Sequence, residues 1–199
     1  MKKSNERNIK IAVVKGSIRP DNYTSKALSL VIDELQKKDD VTISVIDPAD
    51  LDLPFPGLPS NSKDPEKIKE LVINSTGLVF SKPEYHGGYS SVIKLIIEIL
   101  GFPSVLSGKP ISLIGVAAGQ IGAIKALENL RGVLSHVGAI VLPGPVSVSG
   151  VQSLFDEDCN CKDKKIEERI RTVATNLIHY IDNNICPRIS LEAMVRNMD

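Results

Sequence analysis

The chain has 199 residues, of which 42% are hydrophobic and 24% are charged, the composition of an ordinary globular protein. Lys plus Arg and Asp plus Glu each number 24, so the zero net charge gives no reason to expect nucleic-acid or anionic-membrane binding. Because no apolar run approaches the roughly 20 residues of a membrane span, we expect a cytoplasmic protein. We expect one domain over residues 1–199, with its core over about 9–184 and a tail over 187–199.

Apolar segments alternate with helical patterns along the chain. Five strands are predicted by apolar, often β-branched runs at 9–15, 41–46, 77–81, 110–117 and 139–143. Apolar residues at helical spacing predict helices over about 24–38, from 65, over 89–100, 121–137 and 166–181. Short apolar strands separated by helices predict an α/β protein whose parallel sheet is covered on both faces.

The segment after the first strand, GSIRPDNYTSKAL, combines small residues, hydrogen-bond donors and one arginine. Gly16 permits a tight turn, and the backbone N–H groups that begin the next helix form an anion site. Ser17, Asn22 and Thr24 add side-chain donors, and Arg19 adds a charged fork that suits phosphate oxygens. Helix capping by Asn22 or Thr24 is the alternative, but it does not explain Arg19. We therefore predict a phosphate-binding loop.

Three phosphate-binding classes are excluded by what this loop lacks. It has no G-x-G-x-x-G for a dinucleotide and no G-K-[ST] for a nucleoside triphosphate. It also has no cysteine that would act as the nucleophile of a low-molecular-weight phosphatase. A cofactor monophosphate, held without chemistry at the phosphate, fits what remains.

Two further loops follow the third and fourth predicted strands, and ligands of such sheets bind beyond the carboxyl ends of strands. In KPEYHGGYSSVIK, Tyr85 and His86 offer flat surfaces, and Gly87–Gly88 allows a ligand to approach the backbone. An ordinary turn would explain only the glycines. In GVAAGQIGAIKAL, Gly119 and Gly122 precede a helix, which alone is a weak signal. Together the three loops predict a flat aromatic ligand with a phosphate tail.

The segments GSIRPDNYTSKAL, PEYHGGYSSVIK and GVAAGQIGAIKALENLRGVLSHVGAIVLP resemble, in order and spacing, the signatures of the NADPH-dependent FMN reductase family. The resemblance covers about residues 9–150 and implies a flavodoxin-like three-layer sandwich with a five-stranded parallel sheet in the order 2-1-3-4-5. It implies an oxidoreductase that passes electrons from NADPH or NADH through FMN to a small acceptor: a flavin, quinone, azo compound or metal oxyanion. The alternative is a flavodoxin-type FMN electron carrier with a protein partner. Carriers of this type tend to be acidic, whereas this chain is neutral.

By the same resemblance, the cofactor-binding residues come from all three loops. The loop around the FMN phosphate would contribute Ser17, Arg19, Asn22, Tyr23 and Thr24. The isoalloxazine ring would be lined by Pro83, Glu84, Tyr85, His86 and Gly87, and bordered on its other edge by Ala117, Ala118, Gly119 and Gln120. No general acid or base is assigned, because the flavin carries the chemistry. The odd number of cysteines favours reduced thiols, and no metal site is expected.

The predicted helix near 89–101 carries more apolar residues than packing against the sheet requires. It is expected at the contact of a homodimer, sometimes paired into tetramers, as the resemblance also implies. A charge at Ile97 would then give smaller particles. The alternative is a lid formed over this helix by Leu191, Met194 and Val195. In the helix over 121–137, buried positions are expected at Ile121, Ile124, Leu127, Leu134 and Val137.

Overall fold

A computed structural model describes residues 8–196, without the side chains of residues 190, 193 and 194. The strands are β1 (Ile9–Lys15), β2 (Val41–Ile46), β3 (Gly77–Tyr85), β4 (Gly88–Tyr89), β5 (Pro110–Val116), β6 (Ile140–Val141) and β7 (Val146–Val148). The helices are α1 (Tyr23–Gln36), α2 (Asp64–Asn74), α3 (Ser91–Ile99), α4 (Ile124–His136), α5 (Lys164–Tyr180) and α6 (Cys186–Arg196). A π-helical turn, Ile181–Ile185, joins the last two helices.

The strands form one sheet whose main path runs β2-β1-β3-β5-β6, with every neighbouring pair parallel. Strand β4 pairs antiparallel with β3, and β7 pairs parallel with β5. The predicted α/β class, the flavodoxin-like arrangement and the relative order of the five predicted strands are confirmed. The predicted number of strands is wrong, because the sheet has seven.

The outer strand beside β5 is interrupted, which corrects the single strand predicted over 139–143. Strand β6 pairs with the first two residues of β5, and β7 pairs with its last three. Pro143 and Pro145 lie between them, and neither has an N–H group for the ladder. Gly144 between the two prolines has a φ of 75°, outside the β region. The edge strand is therefore split into two short pieces.

Strand β3 continues to Tyr85, four residues beyond its predicted end at Ser81. Its last two residues pair with β4 across a two-residue turn. The turn residues His86 and Gly87 have φ values of 51° and 73°, as a hairpin turn of type I′ requires. Much of the loop predicted after the third strand is therefore a hairpin that rises from the carboxyl edge of the sheet.

Hydrophobic residues fill the space on both faces of the sheet. Adjacent residues of β1 illustrate this: Val13 packs on the side of α1 and α5, whereas Val14 packs on the side of α2, α3 and α4. Both side chains are fully buried. The three-layer sandwich is thus confirmed. Within residues 8–196, none of the helices combines the length and the apolar character needed to cross a membrane.

The expected burial of two isoleucines near the start of α4 is wrong. Ile121 is 75% exposed and Ile124 is 49% exposed. The helix begins only at Ile124, after a loop in which Gly122 has a φ of 76°, so neither side chain lies on its inward stripe. Leu127 and Leu134 are buried as expected, whereas Val137 is only partly buried.

The apolar surface of α3 is turned mostly inward. Ile93, Ile96 and Leu100 are fully buried, and Ile97 is only 5% exposed. A charge at Ile97 would therefore disrupt the subunit itself, which corrects the use of that position as a probe of association. The helix leaves less free apolar surface than its sequence indicated.

The segment expected as a tail is helical as far as Arg196. Leu191 and Val195 on this helix are 64% and 62% exposed, so they do not form the lid considered as the alternative. The side chain of Met194 and residues 197–199 lie outside the described part of the chain.

Candidate functional site

The three loops predicted from the sequence meet at a cavity of about 420 Å³ at the carboxyl edge of the sheet. Its wall contains the predicted site residues Ser17, Arg19, Asn22, Tyr23, Thr24, Pro83, Glu84, Tyr85, Ala117 and Ala118. The parallel strands explain this convergence, because β1, β3 and β5 all end at the same edge. The cavity has the size of a small-molecule site.

The loop after β1 is held close to β3 by its first residue. A Cβ atom at Gly16 would lie only 2.4 Å from the carbonyl oxygen of Ser81, so no other residue fits there. The carbonyl of Gly16 accepts a hydrogen bond of 2.6 Å from the Ser90 hydroxyl, which comes from the segment ahead of α3. Ser17 is nearly buried, and its Oγ accepts a weak bond from the N–H of Arg19. The phosphate-loop candidate is therefore fixed at its base.

Asn22 performs the capping role that was the alternative for this loop. Its Oδ1 accepts a bond of 2.8 Å from the N–H of Ser25, and its Nδ2 donates to the carbonyl of Arg19 at 2.6 Å. Both polar atoms of this side chain thus shape the loop itself. Tyr23 and Thr24 open α1, where the first N–H groups of a helix lack partners within the helix. Thr24 is buried, and its carbonyl accepts a bond from Ser81 Oγ.

Arg19 connects the first loop to the second. Its guanidinium carbon lies 4.8 Å from the centre of the Tyr85 ring, within the range of a cation–π contact. Among residues 8–196, no carboxylate forms an ion pair with Arg19, whereas the neighbouring Lys15 is paired with Asp47 at 2.6 Å. The charge of Arg19 is therefore available to an anion bound between the two loops.

Glu84 supplies an acceptor that the start of α4 lacks. The residue before this helix is Ala123, which has no side chain able to cap it. Glu84 Oε2 instead accepts a bond of 3.4 Å from the N–H of Ala126 in the first turn. A carboxylate at the N-terminal end of a helix is electrostatically favourable. Glu84 thus joins β3 to α4 as well as lining the cavity.

Four predicted site residues lie outside the wall of this cavity: His86, Gly87, Gly119 and Gln120. His86 is exposed at the tip of the hairpin, and the carbonyl of Gly87 accepts a bond from Asn129 of α4. Gly119 and Gln120 are exposed in the loop that leads to α4. Contacts of these four residues with a ligand stay a prediction.

The cavity wall also contains residues that the sequence interpretation missed, notably Val151 and Gln152. They reach the site because Ala117 is bonded to the segment after β7. Its N–H donates to the carbonyl of Val148 at 2.9 Å, and its carbonyl accepts from the N–H of Val151 at 3.1 Å. The alternating sequence VSVSGV at 146–151 is the signal that predicts a strand here.

A second cavity of about 480 Å³ lies on the other side of the first loop. The two cavities share the residues Ser17, Arg19, Pro20, Asp21 and Asn22, and the second adds Lys26, Asp47 and the exposed Cys159. Neither the hairpin after β3 nor the loop after β5 lines it. The first cavity is the better candidate, since all three predicted loops form its wall.

Within residues 8–196, Lys82 is the one charged residue whose side chain is fully buried. It directly precedes Pro83 of the cavity wall. Burial lowers the pKa of Lys82 to about 7, and the nearby Glu84 carboxylate partly opposes this. Its Nζ lies 3.5 Å from the carbonyl oxygen of Ala123, just before α4. A charged group thus lies beneath the site rather than in it.

The residues of the first cavity fit a flat phosphorylated cofactor such as FMN. Arg19 offers a cation that no carboxylate of residues 8–196 pairs, the start of α1 offers backbone N–H groups, and Tyr85 offers an aromatic face. Ala117 and Ala118 contribute small side chains to a part of the wall that also contains Val116, Val151 and Gln152. Phosphate and ring are thus matched by different parts of one cavity.

Comparison with known proteins agrees with this arrangement. The model of the NADPH-dependent FMN reductase family matches residues 9–153. The chain is 29% identical over 176 residues to an NAD(P)H-dependent FMN reductase of Pseudomonas aeruginosa, covering 82% of this chain and 90% of that protein. It is 28% identical over 176 residues to a 2-hydroxy-1,4-benzoquinone reductase of a Burkholderia species, covering 82% and 91%. In fold it is similar to a flavoenzyme NAD(P)H:(acceptor) oxidoreductase from Paracoccus denitrificans, with a TM-score of 0.73, 22% identity and coverage of 87% and 97%. The chain therefore belongs to the NADPH-dependent FMN reductase family.

Proposed function

We propose that the cavity between the three loops binds FMN and that the protein uses it to pass electrons from NAD(P)H to a small acceptor. The family makes the chain an oxidoreductase with FMN as cofactor and NAD(P)H as co-substrate. The observation that carries the proposed site is the contact of Arg19 with Tyr85, which joins the phosphate-loop candidate to the ring-binding candidate at one cavity. FMN, when bound, accepts hydride and releases electrons.

The protein's own contribution in this proposal is binding and orientation. Arg19 and the N–H groups at the start of α1 hold the phosphate, with Asn22 keeping the loop in shape. Pro83, Glu84 and Tyr85 line one side of the ring, and Ala117 and Ala118 border the other. No side chain is assigned a proton-transfer role. This division supports a site that would bind and orient the cofactor.

The proposed acceptors are flavins, quinones, azo compounds and metal oxyanions. The quinone class is supported by the relative described as a 2-hydroxy-1,4-benzoquinone reductase, and the azo class by relatives described as FMN-dependent NADPH-azoreductases. Nothing in the comparisons favours a flavodoxin-type carrier. The test is to mix the FMN-loaded protein with NADPH under anaerobic conditions. Reduction of the flavin should bleach its visible absorbance band. A flavin band that NADPH and NADH both leave unchanged would contradict the reductase function.

We also propose that the working unit is a homodimer, or a tetramer built from dimers, located in the cytoplasm. Support for association comes from large apolar side chains that a monomer leaves in water: Phe102 after α3 is 86% exposed, and Ile121 before α4 is 75% exposed. The organisation of residues 1–199 as one domain remains a prediction.

A further inference from the structure

Lys82 lies in a place where a lysine is costly. It occupies β3 on the same face as Leu78 and Phe80, and its side chain is 0% exposed. Burying an ammonium group carries a large desolvation cost, and the protein offers it little in return. The only hydrogen-bond acceptor recorded for it within the described residues is the Ala123 carbonyl, at the long distance of 3.5 Å. General stability is therefore a poor reason for having lysine here.

The contacts of Lys82 concern the start of α4. Lys82 and Glu84 are two positions apart in β3, so their side chains leave the strand on the same face. Lys82 Nζ holds the carbonyl oxygen of Ala123, and Glu84 Oε2 holds the N–H of Ala126. Glu84 thus supplies an acceptor to the first turn of a helix that has no cap of its own, and Lys82 adds a second donor to a carbonyl that already accepts from the N–H of Leu127.

The sheet is shaped to make room for this contact. Gly115 of β5 is the register partner of Lys82. A Cβ atom at Gly115 would lie 2.7 Å from the Cβ of Ala123 and 3.2 Å from the Cε of Lys82. Any larger residue would push Ala123 away from the strand. Lys82, Gly115 and Ala123 therefore pack as one unit.

Ala123 is the last residue of the loop that borders the cavity, and Ala117 is the first. The Ala117 end is fixed by backbone bonds to Val148 and Val151. The other end is fixed by the N–H of Ala123, which donates to Ser147 Oγ at 2.8 Å, and by Lys82. We propose that Lys82 is a positioning residue for the cofactor: its buried amino group, acting with Glu84, holds the start of α4 and so fixes the loop 117–123 against the cavity. This inference rests on the proposed function of the cavity as the FMN site.

The test compares Lys82→Met with Lys109→Met. Methionine fills the space of the lysine stem without a charge or a strong donor. Lys109 is a matched control, since it is half-buried and donates to the carbonyls of Ile73 and Ser75 at 2.8 and 2.5 Å. It lies just before β5, at the edge of the sheet opposite to the cavity. Hydrogen exchange of the apo proteins, urea unfolding and FMN titration are measured for both variants and the wild type.

Lys82→Met is expected to be at least as stable as the wild type near pH 7, because a buried charge is removed. Its amides over 117–127 should nevertheless exchange faster, and its Kd for FMN should rise about threefold to tenfold, as for the loss of one hydrogen bond. Lys109→Met should keep the wild-type Kd. A purely structural lysine would not move stability and cofactor affinity in opposite directions.

An unchanged Kd for FMN in Lys82→Met, or unchanged exchange over 117–127, would overturn the positioning role. An equal loss of affinity in Lys109→Met would overturn it too. If Lys82→Met does not fold, the same measurements are made on Lys82→Gln, which keeps a shorter donor and should fall between the wild type and the behaviour expected for methionine. If the wild type itself binds no FMN, the proposed function fails; if only the Lys82 comparison fails, the site stands without this residue.

Discussion

The guanidinium group of Arg19 lies over the ring of Tyr85, with 4.8 Å between the guanidinium carbon and the ring centre. The two residues come from different loops, after β1 and at the end of β3, and meet only because those strands are neighbours. A contact of this kind is worth about 0.5–1 kcal/mol at an exposed site. It therefore orients Arg19 at little cost and leaves its N–H groups free to bind a phosphate.

Replacing Arg19 by alanine should weaken FMN binding much more than riboflavin binding. A charge-assisted contact to phosphate is worth about 1.5–3 kcal/mol, so the Kd for FMN should rise roughly tenfold to a hundredfold. Riboflavin has no phosphate and should keep nearly the affinity that it has for the wild type. Fluorescence titration of the apo protein with each flavin measures both constants.

Two further variants separate the charge of Arg19 from its planar fork, and the aromatic face of Tyr85 from its hydroxyl. Arg19→Lys keeps the charge without the planar fork and should give an intermediate Kd for FMN. Tyr85→Phe keeps the aromatic face and should resemble the wild type. Equal weakening of FMN and riboflavin in Arg19→Ala would show that Arg19 does not act on the phosphate.

Lys82→Met should change the pH dependence of stability. The pKa of Lys82 is about 7 in the folded protein, against 10.5 for an ordinary lysine. Between these values the unfolded chain binds more protons than the folded one, so this residue makes the free energy of unfolding rise with pH. The stabilisation gained by Lys82→Met should therefore be largest at pH 7 and below, roughly 3–5 kcal/mol, and should disappear towards pH 10.5.

Urea unfolding of apo Lys82→Met and wild type at pH 6, 8 and 10 measures this effect. Lys10→Met is the control, because Lys10 is an exposed residue of β1 and its replacement removes no buried charge. A difference for Lys82→Met that stays constant with pH would mean that water reaches the ammonium in the folded protein.

A charge at Ile121 should dissociate the proposed oligomer without unfolding the subunit. Ile121 is 75% exposed, so Ile121→Glu buries no charge in the monomer. Ile97→Glu is a contrasting variant, because Ile97 is 5% exposed and its replacement should cost the fold itself. Sedimentation velocity and circular dichroism should show smaller, folded particles for Ile121→Glu. Wild-type protein that sediments as a fully active monomer at micromolar concentration would refute the oligomer.

Gly16→Ala should damage the site through the backbone. The added Cβ would meet the Ser81 carbonyl oxygen at 2.4 Å, so the loop after β1 must move away from β3. We expect a loss of stability of about 1–3 kcal/mol, typical of overpacking, together with weaker FMN binding. Gly132→Ala is the control: it lies in α4 with no atom near the new methyl group and should stabilise the protein by about 0.5–1 kcal/mol. Normal FMN affinity in Gly16→Ala would contradict this view of the loop.

Local chemistry and the rule that ligands bind at the carboxyl ends of parallel strands were enough to predict Arg19 and Tyr85 as neighbours of one site. Asn22 shows the limit of that reasoning, since its sequence context fits phosphate binding and capping equally, and the structure uses its side chain for capping. Only the hydrogen bonds of the folded chain distinguish these roles.

The residues that sequence could not place depend on long-range contacts. Gln152 enters the cavity wall because the chain returns along β5 after two prolines; the alternation at 146–151 predicts a strand there but not which strand it pairs with. Glu84 caps a helix that begins some forty positions later in the chain. The wide apolar stripe of α3 predicts a surface position for Ile97, but this side chain lies in the subunit core.

The split of the outer strand into β6 and β7 also protects the protein from unwanted aggregation. A long, flat edge strand presents a row of free N–H and C=O groups on which another chain can build a continuous ladder. Here the two pieces are short, and Pro143 and Pro145 between them have no N–H to offer. This side of the sheet is therefore a poor template for strand addition, so copies of the chain can associate through side chains without extending the sheet from one subunit to the next.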